Sequence, residues 1–336
     1  MFTIYQTEGY KSALSVRDTQ KAIAAVRQYF QKKLCEKLNL ERVSAPMLVV
    51  ANTGVNDDLN GVERPVSFDI KDVSDFKVEV VHSLAKWKRM ALADYGYNVG
   101  EGFFTDMNAI RRDEDLDNFH SIYVDQWDWE KVISREQRTK EFLFDTVKDI
   151  VKSVCQTSKY IKKRYPALKT NLCQEVFFID SQELENMYPG LTPTERENEI
   201  TKQKKTVFIW KIGDKLKSGE PHGGRAPDYD DWSLNGDILF WHEPTNKALE
   251  VSSMGIRVDK DSLVSQLFKK GLEERLGYRY HQGIVNETLP LTIGGGIGQS
   301  RLCMLLLDKV HIGEVQSSIW PEEMRKLCKE KNIHLL

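Results

Sequence analysis

The apolar positions change period along the chain, and each change marks an element. Ile23, Val26, Phe30, Leu34 and Leu38 recur at steps of three and four, which predicts an amphipathic helix over residues 18–38. Residues 41–50 (ERVSAPMLVV) read as a strand with Pro46 inside it. Proline has no N–H to give to a ladder, so that strand belongs at an edge or an interface. Residues 52–61 (NTGVNDDLNG) are loop chemistry throughout. Residues 76–81 resemble a strand and 82–93 a helix with Lys86, Lys88 and Arg89 on a basic, solvated face. Strands follow over 102–110 and 121–129, joined by the charged loop RRDEDLDNFH. Ser134 is placed to cap a long helix to residue 164 that buries Phe142, Val147, Ile150, Val151 and Val154.

Residues 176–179 and 207–212 look like strands, and Thr192-Pro193-Thr194-Glu195 is a capping box with proline at the first helical position. A turn-rich stretch over 213–236 leads to strands over 237–241 and 248–258, then a helix over 261–276. Strands joined mostly by hairpin-type loops, with helices grouped elsewhere, predict an α+β fold on a mainly antiparallel sheet. No Pro/Gly/Ser linker divides the chain, so residues 1–336 read as one domain.

Residues 291–307, LTIGGGIGQSRLCMLLL, stand out within this pattern. Gly294, Gly295 and Gly296 let backbone approach a ligand because no Cβ intervenes. Arg301, opening the apolar helix that follows, offers a guanidinium fork suited to phosphate. A tight turn before a core helix explains the glycines equally well. A dinucleotide-binding loop does not, because no βα unit follows.

Composition narrows the classes without choosing among them. With 40% hydrophobic and 29% charged residues the chain is an ordinary globular protein, and a net charge of −2 provides no basic surface for nucleic acid. The five cysteines (Cys35, Cys155, Cys173, Cys303, Cys328) are scattered, without CxxC or Cys/His clustering, which argues against structural zinc and a disulfide framework. The opening MFTIYQTEGYK lacks the pattern of a signal peptide and no long apolar run exists, so a cytoplasmic location is expected.

Three segments carry charge that a plain core would not need. Arg111-Arg112-Asp113-Glu114-Asp115 precedes a stretch in which Gln126, Asp128 and Glu130 share one strand face and Trp127 and Trp129 the other. Asp237 and Glu250, on neighbouring predicted strands, form a hard oxygen site suited to Mg²⁺ carried by a nucleotide. Arg301 completes the set. Arginines and magnesium carboxylates on one sheet point to phosphoryl or nucleotidyl chemistry, and GxxxxGK[ST] is absent, so the nucleotide site is not a P-loop.

These residues carry a resemblance. RDED followed by QWDWE resembles motif 2 of the class II aminoacyl-tRNA synthetase core, closest to its aspartyl and asparaginyl members. GGGIGQSRL is similar to motif 3, and the segment around Pro46 to motif 1. Longer strings narrow the match: VVHSLAKWKR (80–89), HSIYVDQWDWE (120–130), RAPDYDDW (225–232), LNGDIL (234–239), SSMGIRVD (252–259) and TIGGGIGQSRL (292–302) resemble the ammonia-dependent asparagine synthetase family, the aspartate–ammonia ligases.

The resemblance implies a class II synthetase-like core, mainly antiparallel sheet flanked by helices, working as a homodimer. It implies that ATP and aspartate form β-aspartyl-AMP and pyrophosphate, and that ammonia then releases AMP. Residue by residue it implies Arg111 on the α-phosphate, Arg301 on the triphosphate, Asp237 with Glu250 on Mg²⁺, and Arg225 and Val124 beside the nucleotide. Lys88 and Arg257 would grip aspartate's α-carboxylate, Gln126 and Ser253 would orient substrate, and Ser83 and Asp230 would line its site. Asp57 or Asp128 would hold the amino group or ammonium. In motif 2, Arg111 aligns in preference to Arg112, and Val124 with Tyr123 stands where the synthetases place phenylalanine under adenine.

Two other readings compete. A synthetase-like paralogue charging another acceptor has no anticodon-binding region or basic stripe in its favour. A non-catalytic nucleotide or amino-acid sensor would have lost some of Arg111, Asp237, Glu250 or Arg301, and all four are present. The nitrogen source is expected to be free ammonia: no cysteine has a local histidine pattern, the chain starts Met1-Phe2, and Cys35 and Cys303 fall in helices as buried thiols. Small-molecule substrates, with no nucleic acid and no membrane, complete the expectation.

Overall fold

The computed structural model of the protein describes residues 2–59 and 63–336. Helix α1 (Val16–Leu38) starts where Ser15 Oγ accepts the Asp18 amide and ends on Asn39 in the left-handed region. It is followed by β1 (Leu40–Arg42), β2 (Leu48–Val50), β3 (Ser67–Ile70), β4 (Val73–Val80), α2 (Ala85–Asp94), β5 (Gly102–Ile110) and β6 (Tyr123–Val132). Next come α3 (Lys140–Arg164), β7 (Phe177–Asp180), α4 (Ser181–Met187), α5 (Pro193–Lys204), β8 (Thr206–Trp210), β9 (Asp230–His242) and β10 (Lys247–Arg257). The chain closes with α6 (Lys260–Lys270), α7 (Arg279–Val285), β11 (Thr292–Gly298), α8 (Gln299–Leu306) and α9 (Glu322–Glu330).

Among the described residues eight strands form one sheet in the order β1-β5-β6-β11-β10-β9-β8-β7. The interior pairs are antiparallel, and only the edge pairs β1/β5 and β7/β8 are parallel. The α+β expectation holds. One sheet face is dry: Phe30, Leu34, Trp127, Trp129, Val147, Ile150, Met254 and the α8 leucines share one buried cluster under α1 and α3. Phe30 and Trp127 meet at 4.7 Å between ring centroids. Each such side chain contributes about 1.5–3 kcal/mol of burial. The opposite face, between β6, β11 and β10, is left for charge.

The predicted 41–50 strand divides around Pro46. Its first part, β1, joins the large sheet, and its second, β2, joins a three-stranded sheet β2-β4-β3. The long helix is capped by Thr139, whose Oγ1 accepts the Phe142 amide at 3.2 Å, and not by Ser134, which lies in the preceding turn. The capping box at Thr192 and Glu195 is present as expected. The turn-rich stretch ends earlier than its composition implied, because β9 begins at Asp230. Of the predicted 52–61 loop, residues 60 and 61 lie outside the described part. Helix α6 stops at Gly271, φ 67°, a left-handed C-cap that glycine adopts without penalty.

Candidate functional site

The glycine stretch is neither a turn nor a loop. It is β11, a central strand paired to β6 on one side and β10 on the other. In register, Gly298, Gly296 and Gly294 face Gln126, Asp128 and Glu130 of β6. A Cβ built on Gly294 would run into the Glu130 carboxylate, and one on Gly296 into the Gln126 amide. The glycines therefore keep a strand bare so that the polar row beside it has room. The other face of β6 carries Trp127 and Trp129, each 0% exposed, as the two-residue alternation required.

Buried charges make the floor. Arg257, at the end of β10, donates to Glu130 through Nε (2.9 Å) and a terminal nitrogen (2.7 Å), and its other terminal nitrogen pairs with Asp230. Lys88 Nζ pairs with Asp128, donates to the Trp129 carbonyl at 2.8 Å and lies 3.5 Å from Glu130. Burial alone would raise the Glu130 pKa, but Arg257 and Lys88 outweigh it and hold the carboxyl below its usual range.

Looser pairs make the rim. Arg111 follows β5, held by its amide on the Ile122 carbonyl (2.8 Å), and its guanidinium is 3.8 Å from Glu114. Arg301, in the first turn of α8, donates to the Glu250 backbone carbonyl at 3.2 Å and stands 3.5 Å from its carboxylate. Arg225 pairs with Asp237. Burial pushes Asp237 up to about 7 against the pull of Arg225, with Glu250 adding to the rise. For Glu250 burial also raises the pKa, but Arg301 and Arg225 bring it below its usual range.

Floor and rim enclose a cleft of about 430 Å³ lined by Asp57, Ser83, Arg111, Val124, Gln126, Asp128, Arg225, Asp230, Glu250, Ser253, Arg257 and Arg301. Two expected residues do not line it. Lys88 is 0% exposed and sits beneath Asp128, and Asp237 stands behind Arg225. Arg111 lines the cleft, whereas Arg112 is exposed and does not. His120, Tyr123, Asp125, Tyr229 and Gln316 also line it, and of these only Tyr123 had drawn attention in the sequence.

The solvated reading of the α2 lysines and arginine is overturned: Lys86, Lys88 and Arg89 are 2%, 0% and 1% exposed. The signal was available. At 100° per residue Lys86 and Lys88 stand about 200° apart on the helix, too far for one solvated stripe. Lys86 serves the loop that carries Asp57. Its Nζ donates to the carbonyls of Gly54 (3.0 Å) and Asn56 (3.2 Å) and lies 2.9 Å from Asp228, which also meets His281 at 3.1 Å. Asn56 Oδ1 accepts the amides of Asp57 (3.0 Å) and His82 (2.9 Å), so the loop is tied to the start of α2. Burial raises the Asp57 pKa, partly countered by Lys86 and reinforced by Asp228.

Comparison with known proteins agrees with this geometry. The family model described as aspartate-ammonia ligase matches residues 17–332. The chain is 58% identical over 335 residues to an aspartate–ammonia ligase of Lactobacillus johnsonii, covering 99% of this chain and 100% of that protein. It is 57% identical over 336 residues to one of Ruminiclostridium cellulolyticum, covering all of both. Among solved structures, an asparaginyl-tRNA synthetase from Pyrococcus horikoshii with asparaginyl-adenylate superposes at TM-score 0.65 and 16% identity, over 90% of this chain and 70% of that one. The Entamoeba histolytica asparaginyl-tRNA synthetase superposes at 0.63 and 14%; the chain covers 66% of it, less than two thirds of its length. These likenesses carry the fold, a class II synthetase core; the sequence matches carry the family. The chain belongs to the aspartate–ammonia ligase family.

Proposed function

We propose that the cleft joins aspartate to ammonia at the expense of ATP, releasing AMP and pyrophosphate. One observation carries the assignment of roles: phosphate-seeking arginines (Arg111, Arg301) and a fully paired amino-acid floor (Arg257, Asp128, Asp230) line the same cleft. In the first step an oxygen of aspartate's β-carboxylate bonds to the α-phosphorus of ATP, and the bond to pyrophosphate breaks. Arg111 steadies the α-phosphate and Arg301 the tail, with charge-assisted hydrogen bonds that strengthen as charge moves onto the leaving group. Arg257 takes the α-carboxylate, Asp128 and Asp230 the α-amino group, and Gln126, Ser83 and Ser253 set the β-carboxylate's orientation. Lys88 acts from below by fixing Asp128. Val124, with Tyr123, and Arg225 border the nucleotide.

In the second step ammonium gives a proton to Asp57. The resulting ammonia bonds to the β-carbonyl carbon, the C–O bond to AMP breaks with its electron pair on AMP, and nitrogen's next proton goes to solvent. Burial raises the proton affinity of Asp57, which suits a carboxylate that must accept that proton. A thiol route from glutamine has little support: burial pushes Cys155 and Cys328 up to about 11 and Cys303 up to about 12.

The oxygens of Asp237 and Glu250 suit Mg²⁺ once Arg225, which pairs with Asp237, turns away. Asp237 and Glu250 feel each other's charge, and no third His, Cys, Asp or Glu joins them among the described residues, which leaves phosphate oxygens and water as further ligands. Bound there, the ion would draw charge from the phosphates. We further propose one catalytic domain over residues 1–336, acting in the cytoplasm without nucleic acid. No helix among the described residues is long and apolar enough to cross a membrane. A second copy of the chain would cover the small sheet, where Met47, Leu48, Phe68 and Phe76 are 51%, 37%, 40% and 45% exposed.

The deciding experiment measures asparagine and AMP formed from aspartate, ATP and ammonium, with ¹⁸O on the β-carboxylate. One label should appear in AMP. Label arriving from the α-carboxylate, or ADP in place of AMP, would overturn the proposal. Glutamine replacing ammonium at equal rate in an ammonia-free preparation would overturn the nitrogen source.

A further inference from the structure

A second cavity, of about 300 Å³, adjoins the cleft across Asp57 and Glu63, which among the described residues line both. Its charge is one-sided. Among the described residues Asp57, Asp58, Glu63, Glu79 and Glu274 line it against the cations Lys86 and Arg275. Both cations are already turned to the buried Asp228, Lys86 at 2.9 Å and Arg275 at 3.2 Å, and Arg275 pairs with Asp58 as well. The cavity therefore carries a negative field, and low-dielectric walls concentrate such a field on small cations.

Independently of that tally, Asp57 is a buried carboxylate with no ion pair of its own among the described residues; Lys86, paired at 2.9 Å with Asp228, acts on it only through space. It is 4% exposed, its Oδ1 accepts the Leu59 amide at 3.0 Å, and among the described residues nothing donates to Oδ2 and no Lys, Arg or His lies within ion-pair distance. A buried carboxylate is ordinarily matched by a positive partner. Here the partner's place opens on two cavities, one with the arginines of the phosphate rim and one with carboxylates. Size adds a constraint. The first cavity is the one suited to a nucleotide and an amino acid, and a filled cleft would leave ammonium little passage through it.

We propose that the second cavity is the entrance for ammonium. The cation is collected by the carboxylates of Glu79 and Glu274, sheds bulk water, and reaches Asp57 from the side that ATP and aspartate do not occupy. The inference rests on the ligase reading of the cleft. Glu79 and Glu274 lie outside the substrate cleft, and both act as steering charges. Glu79 also accepts from Asn56 Nδ2 at 3.0 Å, a bond that glutamine's amide oxygen can keep, so Glu274, which is exposed, is the cleaner probe of charge alone. Potassium, of equal charge and unable to give up a proton, should compete with ammonium for the same route.

The test is steady-state kinetics of the whole enzyme carrying Glu79→Gln, Glu274→Gln and both together, with Glu274→Asp as the charge-preserving control. At low ionic strength the double variant should raise KM for ammonium by roughly tenfold, at the low end of electrostatic focusing effects. The difference should shrink as salt is added, and Glu274→Asp should stay near wild type. The aspartate-dependent exchange of pyrophosphate into ATP, which needs no ammonium, should be unchanged. So should KM for hydroxylamine, a nucleophile uncharged at neutral pH. An unchanged ammonium KM with normal exchange overturns the entrance while leaving the ligase reading intact. An equal rise for hydroxylamine overturns it too, because the effect would then be shape and not charge. Absence of the exchange in the wild-type enzyme would instead overturn the ligase reading itself.

Discussion

Glu130 and Glu250 both stand on the cleft-facing sheet and both meet an arginine, yet the two pairs are built differently. Glu130 takes a forked contact from Arg257 at 2.7 and 2.9 Å, with both side chains at 3% exposure or less. Glu250 stands 3.5 Å from Arg301, with side-chain exposures of 42% and 21%. The first pair has two strands behind it, glycines cleared in front of it and Lys88 at its flank; its geometry is fixed before any substrate arrives. The second is a long contact in reach of solvent, where Arg301 can change partner at small cost. A floor that must recognise one amino acid gains from preorganisation, whereas a rim that must release one guanidinium to a phosphate gains from weak prior pairing.

The largest effect should come from breaking the floor. Glu130→Gln leaves Arg257 buried with half its partners, and loss of one member of a buried pair costs about 3–5 kcal/mol. Urea unfolding should register that loss, and asparagine formation should fall with it. The pH profile gives a second readout. Glu130's folded pKa lies below its unfolded value, so its contribution is complete above the unfolded pKa and fades as pH falls through the folded one. Wild type should lose stability over that acidic window, and Glu130→Gln should have lost this component already. An unfolding midpoint equal to wild type would mean the pair is not structural.

Arg301→Ala should do the reverse. The ion pair it removes is half-exposed and is worth under about 1 kcal/mol to the fold. Removing one preorganised donor to transition-state charge costs on the order of 10²–10³ in turnover, about 3–4 kcal/mol. Lysine should rescue poorly because the fork is lost. A variant that unfolds early but turns over normally would invert the floor–rim distinction.

Gly296→Ala separates the regions more finely. Its methyl group would enter the space of the Gln126 amide, at the boundary between floor and cleft. Overpacking of this kind costs about 1–3 kcal/mol. The displaced Gln126 should raise KM for aspartate more than KM for ATP, and equal effects on both would show that Gln126 does not orient the amino acid.

How far these regions were legible in the sequence follows from the same physics. The alternation of Gln126, Asp128 and Glu130 against two tryptophans is a local period and survived intact into β6. The Thr192 capping box is likewise local. The glycine run was ambiguous because its reason lies on the neighbouring strand: only the β6–β11 register shows which side chains need the space. Pro46 signalled an edge correctly, but nothing nearby revealed that the chain changes sheets there. For Lys88 the resemblance implies a substrate ligand and its charge a solvated face; that it is buried instead rests on its partners Asp128 and Glu130, about forty residues away in sequence. Asp57 and the Lys86–Asp228–His281 cluster behind it likewise depend on contacts between distant segments.

The smallest effect should come from Arg112, and it is the most informative about the rim. Adjacent residues leaving a strand point to opposite sides. Arg111, anchored by its amide to Ile122, is directed into the cleft, and Arg112 is left exposed outside it. Arg112 has no ion pair within 4 Å among the described residues. Arg112→Ala should then change stability by no more than about 0.5 kcal/mol, as for surface substitutions away from special features. Turnover should stay within about twofold, while Arg111→Ala, one position earlier, should fall on the order of 10²–10³ as Arg301→Ala does. Parallel measurement of ATP-dependent AMP release in the two variants checks this. Equal damage at both positions would show that the loop from 111 to 120 delivers two arginines to the phosphates, and that the rim rearranges further on binding than its present pairing implies.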